Sequence, residues 1–403
     1  MKILYIYDGD WPKGATRPTK QTRSFVRGGH QVRLLARNDF NKPRLEHNDW
    51  MSIVRLPSVT LRPLNRALNF PYFFNPVWLH GIWKAGRDFG ADCIVVRDLP
   101  LALTAVWAGR LLGVPVHYDM AEVYPEFLRS LWEFDEMGWI DHLVRNPIAA
   151  EWLERRVVHR VKSIFVVSEE SRERCRALGV PDQRLVLVGN TPGDVNELVS
   201  THPVPADIAD LEGRPKILFV GTLIGDRGVV LSVEAMPAIL RALPDTVFVV
   251  VGDGPERPRI EATVRSLGLE GSVRLLGWKN HAELAPFYGH ADVGLLPFLD
   301  GSHVRITFAN KLFDYMGAAL PVVASDLPPM RRILDETHSG VTFTPGDRDA
   351  LARVIIELIG DPERRRAMGA GGQQAVLTKY RWSEDEKRLL AAVDDVGAPH
   401  RTR

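Results

Sequence analysis

Short runs rich in apolar residues recur along this chain between longer segments of helical spacing, and that alternation leaves few folds open. The runs are Ile3–Tyr7, Gln31–Ala36, Ile53–Leu56, Cys93–Val96, Val116–Asp119, Ser163–Val167 and Leu185–Val188, then Lys216–Val220, Thr246–Val251, Ser272–Leu276, Val293–Pro297 and Pro321–Ala324. A strand with one wet face alternates polar and apolar residues. A continuous apolar run is buried on both faces, as in a parallel sheet covered by helices. Helical spacing fills the intervals at 19–27, closed by Gly28-Gly29, and at 101–112, 151–161, 169–178 and 229–242, with Ser168 as N-cap of the fourth. Residues 346–368 are expected to be helical, and 382–396 to form a last helix with Ser383 as N-cap and Glu386 closing a capping box. Strand, loop, helix and strand in repetition predict an α/β fold.

At 403 residues the chain exceeds one ordinary core. The stretch 200–215, STHPVPADIADLEGRP, has three prolines and little periodicity, and the strand–helix alternation restarts after it. The expected organisation is a Rossmann-like domain over 1–200, a linker at 201–215, a second Rossmann-like domain over 216–380, and a helix with tail at 381–403. Lys+Arg 51 against Asp+Glu 50 excludes a general nucleic-acid binder, whose footprint is basic. Cys93 and Cys175 cannot build a disulfide framework or a metal cluster, so reduced thiols in the cytoplasm are expected. The first apolar run stops at Asp8, which does not read as a signal peptide, and no run approaches the roughly 18 residues of a membrane span. Segment 62–87 mixes Phe70, Tyr72, Phe73, Phe74, Trp78 and Trp83 with Arg62, Arg66, Lys84 and Arg87. It reads either as a surface for lipid headgroups or as a core-facing helix after a proline-broken loop.

The most informative stretch is 292–330. A polar loop, Asp300–Thr307, leads into a helical segment, Phe308–Ala318, with Lys311 in its first turn and Asp314 three residues on. A cation and a carboxylate on one helix face suit a nucleoside diphosphate, phosphate on the lysine and ribose hydroxyls on the acid; the alternative is a solvated ion pair. No GxGxxG follows the first strand, where Gly14 instead permits close backbone approach. Asp8-Gly9-Asp10 reads as an acidic turn rather than a metal-binding pair. Asp119 and Glu122 fall beyond a strand's carboxyl end, where open α/β sheets place ligands. They would bind or deprotonate an acceptor hydroxyl, or else cap a helix and satisfy loop amides.

The runs FVGTLIGDRGV (219–229), VVVGDGPERPRIEATVRSLGLEGSVRLLGWKNHAELAPFYGHADVGLLPF (249–298) and NKLFDYMGAALPVVASD (310–326) resemble the retaining glycosyltransferases of the "family four" type, with the GT-B fold. YDMAEVYPEF (118–127) is similar to a Tyr-Asp-x-His-Glu-x-x-Pro-Glu segment of the same family. The resemblance implies two domains facing across a cleft, with the final helix returning to the first. It implies sugar transfer from a nucleotide-diphosphate donor, UDP favoured, to a glycan or glycolipid, with retention of configuration and no metal or other cofactor. Arg227 and Lys311 would stabilise the leaving diphosphate, helped by Gly221, Thr222 and Arg305. Asp314 would hold the ribose, and Gly277, Trp278 and Lys279 the base. Ser302, His303, Phe308, Ala309 and Asn310 would lie near the donor sugar, and Gly14, His117 and Glu122, with Asp119, on the acceptor side.

The match has departures. Ile306 stands where many relatives carry a glutamate, Ala121 where they carry a histidine, Thr222 where arginine is frequent, and Asp314 where glutamate is usual. These keep two other readings in view: a non-catalytic nucleotide-sugar-binding subunit, and a nucleotide-sugar isomerase of similar architecture. The expected setting is the cytoplasm, at the inner face of a membrane if 62–87 touches lipid.

Overall fold

The structure is a computed structural model that describes residues 1–12, 15–39, 41–59, 61, 64–65, 74–134, 138–193, 195–199 and 201–395. Gly14, assigned to the acceptor side by resemblance, and most of 62–73 lie outside them. The chain divides into two compact units, the first Met1–Leu128, His142–Asn190 and the segment from Ser383, the second Arg129–Asp141 and Thr191–Trp382. Among the described residues no helix is long and apolar enough to cross a membrane.

The first unit is built on an eight-stranded sheet of β1 (Lys2–Tyr7), β2 (Gln31–Ala36), β3 (Leu45–His47), β4 (Ser52–Arg55), β5 (Cys93–Arg97), β6 (Val116–Met120), β7 (Ser163–Val166) and β8 (Leu185–Leu187). Its spatial order is β3-β4-β2-β1-β5-β6-β7-β8. The described pairs are parallel except β3 on β4. Some of its helices start at side-chain caps. Asn75 accepts from the amides of Val77 and Trp78 ahead of Pro76, and Ser168 forms a capping box with Ser171. In helix Pro76–Phe89, Trp78 is wholly buried, so the core-facing reading holds for that part of 62–87.

One ion pair ties this unit together across the sequence. Arg17, in helix Thr16–Arg27, chelates Asp119 through Nε (3.1 and 3.0 Å) and Nη2 (2.5 Å). Its Nη1 donates to the carbonyls of Val188 (3.0 Å) and Gly189 (2.9 Å) and to Oδ1 of Asn190 (2.9 Å). Asp119 is 0% and Arg17 5% exposed. Two charges taken out of water are tolerated only when fully paired, and here the first helix, β6 and the loop after β8 share one knot.

The second unit carries β9 (Lys216–Val220), β10 (Val247–Val251), β11 (Val273–Leu275), β12 (Val293–Leu296), β13 (Val322–Ser325) and β14 (Gly340–Phe343), in the order β11-β10-β9-β12-β13-β14. Its pairs are all parallel. The continuous apolar runs are explained by two cores, one on each face. Leu218, Val220, Val249, Val251, Val322 and Ala324 enter one, and Ile217, Phe219, Phe248, Val250, Leu295 and Val323 the other. Each such side chain contributes roughly 1.5–3 kcal/mol by leaving water.

Three boundaries differ from expectation. The stretch 201–215 is no free linker: it forms a 3₁₀ turn, Ala206–Leu211, whose Ile208 and Leu211 are buried in the second unit's core. The helix expected over 346–368 is two, Arg348–Gly360 and Pro362–Thr378, because Asp361 ends the first and caps the second at Arg364 N. The last helix runs Trp382–Asp394, starting where expected and ending two residues sooner, and Glu386 pairs with Arg27 of the first unit (3.0 Å).

Asp119→Ala is expected to destabilise the protein by about 3–5 kcal/mol, since it strands a buried guanidinium. Urea unfolding followed by tryptophan fluorescence measures this, and a loss below about 1 kcal/mol would contradict the structural role.

Candidate functional site

In the second unit the strand order reverses beside β9: β10 and β11 lie on one side, β12 to β14 on the other. Loops that leave β9 and β12 at their carboxyl ends diverge there, and such a switch point is where open α/β sheets bind ligands. The two strands pair only at Val293↔Ile217 and Gly294↔Leu218. Beyond that, the Tyr315 hydroxyl stands in for the missing ladder. It accepts from the amide of Val220 (2.9 Å) and donates to the carbonyl of Leu218 (3.4 Å). Its ring covers Gly294, where a Cβ would meet ring carbons at 2.5 Å.

The loop after β9, Gly221–Gly228, is pressed against its neighbours. Gly228 has φ +64°, and a Cβ there would lie 1.9 Å from the carbonyl oxygen of Pro297. Gly252, after β10, has φ +152°, and its Cβ would lie 1.8 Å from the carbonyl of Gly221. Neither position accepts another residue without moving backbone. This approach sets Arg227 beside the loop after β12, its guanidinium 4.5 Å from the centre of the Phe298 ring and its Nε 3.4 Å from Asp226.

Helix Lys311–Gly317 follows on that side. It is shorter than the expected Phe308–Ala318, because Phe308 turns edge-on to Phe313 (centroids 5.0 Å) and packs on the core instead of entering the helix. Lys311 Nζ lies 2.8 Å from Asp314 Oδ2 and 3.2 Å from the Tyr288 hydroxyl, which is itself 3.4 Å from the same carboxylate oxygen. Burial first, then the Asp314 charge, pushes the Tyr288 hydroxyl well above its usual range, so it stays protonated.

The other expected donor residues are distributed unevenly. Gly221 and Thr222 open the β9 loop. Gly277 has φ +74° and accepts from the Gly252 amide (2.9 Å); Trp278 is 67% exposed beside it. Lys279 points elsewhere, to Asp207 (2.8 Å). Arg305 is an exposed residue paired with Asp300. Ser302, Phe308 and Ala309 are partly buried and Asn310 is exposed. His303 is enclosed within its loop. It is 7% exposed, its Nε2 lies 3.4 Å from the Thr307 hydroxyl, and burial reinforced by the Arg227 charge lowers its pKa to about 4.

In the first unit two acceptor-side expectations meet a physical obstacle. Asp119 has both oxygens held by Arg17 and no exposed surface, so no acceptor hydroxyl reaches it. His117 is equally buried, bonded to Ser163 (2.7 Å) and stacked on Phe165, and burial lowers its pKa to about 3. Glu122 is partly buried at the same sheet edge, and Ala121 is closed in at 3% exposure. Asp10 is tied to Lys42 (3.0 Å), which fits the acidic-turn reading of Asp8-Gly9-Asp10.

Sequence reasoning missed Arg17, Tyr288, Tyr315 and Asp98. Asp98, directly after β5, holds φ 61° and ψ 160°, a region that side-chain-bearing residues avoid. Its carboxyl, 3.2 Å from Arg97 Nε, is raised to about 7 by burial, against the pull of Arg97.

Two α/β units with parallel sheets and carboxyl-edge loops define the GT-B fold. The chain superposes on the Anabaena HepE protein, solved in complex with UDP, with a TM-score of 0.72 at 17% identity over 98% of this chain and all of that one. Residues 14–191 match the family described as a glycosyl transferase 4-like domain, and residues 214–361 match glycosyl transferases group 1. Over 98% of its length the chain is 30% identical to a phosphatidyl-myo-inositol mannosyltransferase of Mycobacterium leprae, covering 96% of that protein. It is 25% identical to an alpha-D-kanosaminyltransferase of Streptomyces kanamyceticus over 72% of each chain. The chain belongs to this family of GT-B glycosyltransferases.

Tyr315→Phe is expected to cost about 1–3 kcal/mol, because the Val220 amide loses its partner in a buried setting; the shift in urea midpoint checks it. Acid should weaken the fold through His303 and His117. Both are neutral when folded down to about pH 4 and 3, whereas the unfolded chain takes up protons below about 6.5. The unfolded state therefore binds more protons, and stability falls as pH drops from about 6.5 toward 4. Melting temperatures across that range should fall less steeply for His303→Gln than for the native chain.

Proposed function

We propose that this protein transfers a sugar from a nucleoside-diphosphate sugar, with UDP as the first carrier to test, to a hydroxyl of a glycan or glycolipid, retaining the anomeric configuration and using no metal. The observation that carries the reading is the placement of Lys311, Asp314 and Arg227 around the switch point of the second unit. The leaving nucleoside diphosphate develops negative charge, which Lys311 and Arg227 would meet, with Arg305 as a third, more exposed cation. Amides of Gly221 and Thr222 would add hydrogen bonds. Asp314 would take ribose hydroxyls, and the Gly277–Trp278 backbone would border the base. Ser302 and His303 would line the donor-sugar side.

The Lys311–Asp314 contact is consistent with this. The lysine side chain is 21% and the aspartate side chain 9% exposed, so a donor that enters must replace their mutual contact, phosphate for the lysine and ribose hydroxyls for the acid. The Anabaena protein's complex with UDP supports a uridine carrier, and the mannosyltransferase relative supports a lipid-linked acceptor. In the first unit Glu122 is the acceptor-side carboxylate that remains reachable, and the protein would act at a membrane surface if the acceptor is lipid-linked.

A thermal-shift series with UDP, GDP, ADP and their glucose and mannose conjugates tests the donor, because a ligand of the folded state raises the melting temperature. Lys311→Ala should keep the fold and lose about 100-fold in kcat, about 3 kcal/mol. Native turnover in that variant would overturn the assignment, and binding without any turnover in the native chain would favour a non-catalytic subunit. Excess EDTA should leave the rate unchanged, and proton NMR of the product should show the donor's anomeric configuration.

A further inference from the structure

Helices Pro76–Phe89, Leu99–Leu112 and Pro147–Val157 of the first unit precede β5, β6 and β7 in turn. Each of these strands lies beyond its predecessor in the same direction, so every crossover runs the same way across the sheet. Right-handed crossovers then put all three helices on one face, where the middle one packs against both others. Each turns residues such as Ile82, Ala105 and Leu153 inward. The outward strips repeat one motif. Trp83, Trp107 and Trp152 each carry an arginine from about one turn further on: Arg87 at 4.5 Å from the ring centre, Arg110 at 5.8 Å and Arg156 at 3.7 Å. Trp107 and Trp152 are 47% and 53% exposed, and Leu111 and Ile148, one turn from them, 64% and 71%. The next helix, Glu169–Ala177, ends the patch: EESRERCRA supplies no large apolar residue, and Arg172 and Arg176 pair with Glu169, Glu173 and Asp182. Large apolar side chains gathered on one wet face mark a surface that something else covers.

We infer that this three-helix face docks on an anionic lipid surface, its tryptophan and aliphatic side chains at the boundary of headgroups and acyl chains and its arginines on lipid phosphates. An indole suits that boundary, because its ring is apolar and its N–H polar. An arginine stacked on the ring covers apolar area and still presents a planar fork to phosphate. Charge selects this occupant. Lys84, Arg87, Arg110, Arg155 and Arg156 are exposed there, against Asp88 beside Arg87 (3.1 Å) and Glu151 beside Arg155 (2.9 Å). Cations in such excess are drawn to an anionic leaflet. A second copy of the chain would set the same arginines against themselves. A glycan would stack on the indoles but leave Leu111 and Ile148 in water. The inference rests on the first unit alone and stands whether or not the acceptor is a lipid.

The test is co-sedimentation of the full chain, without donor, with vesicles of phosphatidylcholine alone or mixed with phosphatidylglycerol. The chain should bind the mixed vesicles and not the neutral ones, and should be released as salt rises from roughly 0.05 to 0.5 M. Tryptophan emission should move to shorter wavelength on binding. Trp107→Ser with Trp152→Ser, and separately Arg110→Glu with Arg156→Glu, should each weaken vesicle affinity by about 10-fold or more. These four residues are exposed, so both double variants should melt within about 2 °C of native and keep the native thermal shift with nucleotide sugars. Failure to bind the mixed vesicles, equal affinity for the neutral ones, or native affinity in either double variant overturns the inference. So does a dimer of the native chain, seen by light scattering, that either double variant converts to monomer. All of these outcomes leave the glycosyltransferase reading standing; that reading fails separately if the native chain neither binds nor releases any nucleotide.

Discussion

A single phenol hydroxyl lets the strands at the switch point of the second unit part without leaving their backbone unpaired. Parallel strands on either side of a switch point must part to open a crevice, and parting exposes backbone amides in a dry interior, where an unpaired group costs about 1–3 kcal/mol. Tyr315 removes that cost by bonding to both Val220 and Leu218 of β9 from a helix that follows β12. The ring needs room, which Gly294 supplies in mid-strand. Strand separation, the glycine inside an otherwise apolar run and the tyrosine on the helix are therefore one device. Arg227 sits on the loop that leaves β9 and Lys311 on the helix that follows β12.

The two units handle charge in opposite ways, and the difference separates structural from chemical roles. Arg17 and Asp119 are both almost fully buried, share several short hydrogen bonds and anchor three chain segments. Their mutual dependence is so large that neither can be lent to a substrate. Lys311 and Arg227 keep about a fifth to a quarter of their side chains open, whereas Asp314 is 7% exposed, and each is paired with one carboxylate or cation that a ligand could replace. Glycosyl transfer needs the second kind, since its charge develops only as the nucleotide leaves. Exchangeable pairing, more than the identity of the residues, is what separates the cations proposed for the donor from the structural Arg17.

Much of this was legible in the sequence. Strands burying both faces write themselves as unbroken apolar runs, and those runs located β1, β2, β5 and β9 to within a residue or two. Lys311 and Asp314 were readable because three residues on a helix put them side by side. The Arg17–Asp119 knot was not, because its partners are 102 positions apart and an aspartate at a strand end looks the same whether it is locked or open. The burial of His303 was hidden in the same way: a loop histidine carries no sign of what folds over it. Tyr315 falls within the expected helical segment, but nothing local shows that its hydroxyl bonds to β9. Local spacing reports local geometry, and these residues owe their roles to contacts between distant segments.

Ala121 shows how the acceptor edge follows from the same logic. The resemblance led to expecting a histidine there, but the side chain at 121 is enclosed, at 3% exposure, so nothing larger fits without moving its surroundings. With His117 also buried and Asp119 spent, the polar capacity of that edge falls to Glu122, Asp98 and Arg97, which sit at the ends of adjacent strands. Asp98 is the member of this group whose backbone conformation is unfavourable and whose carboxyl oxygen is left unmatched. Asp10 and Glu154 also keep one buried carboxyl oxygen unmatched among the described residues, so what sets Asp98 apart from them is its positive φ.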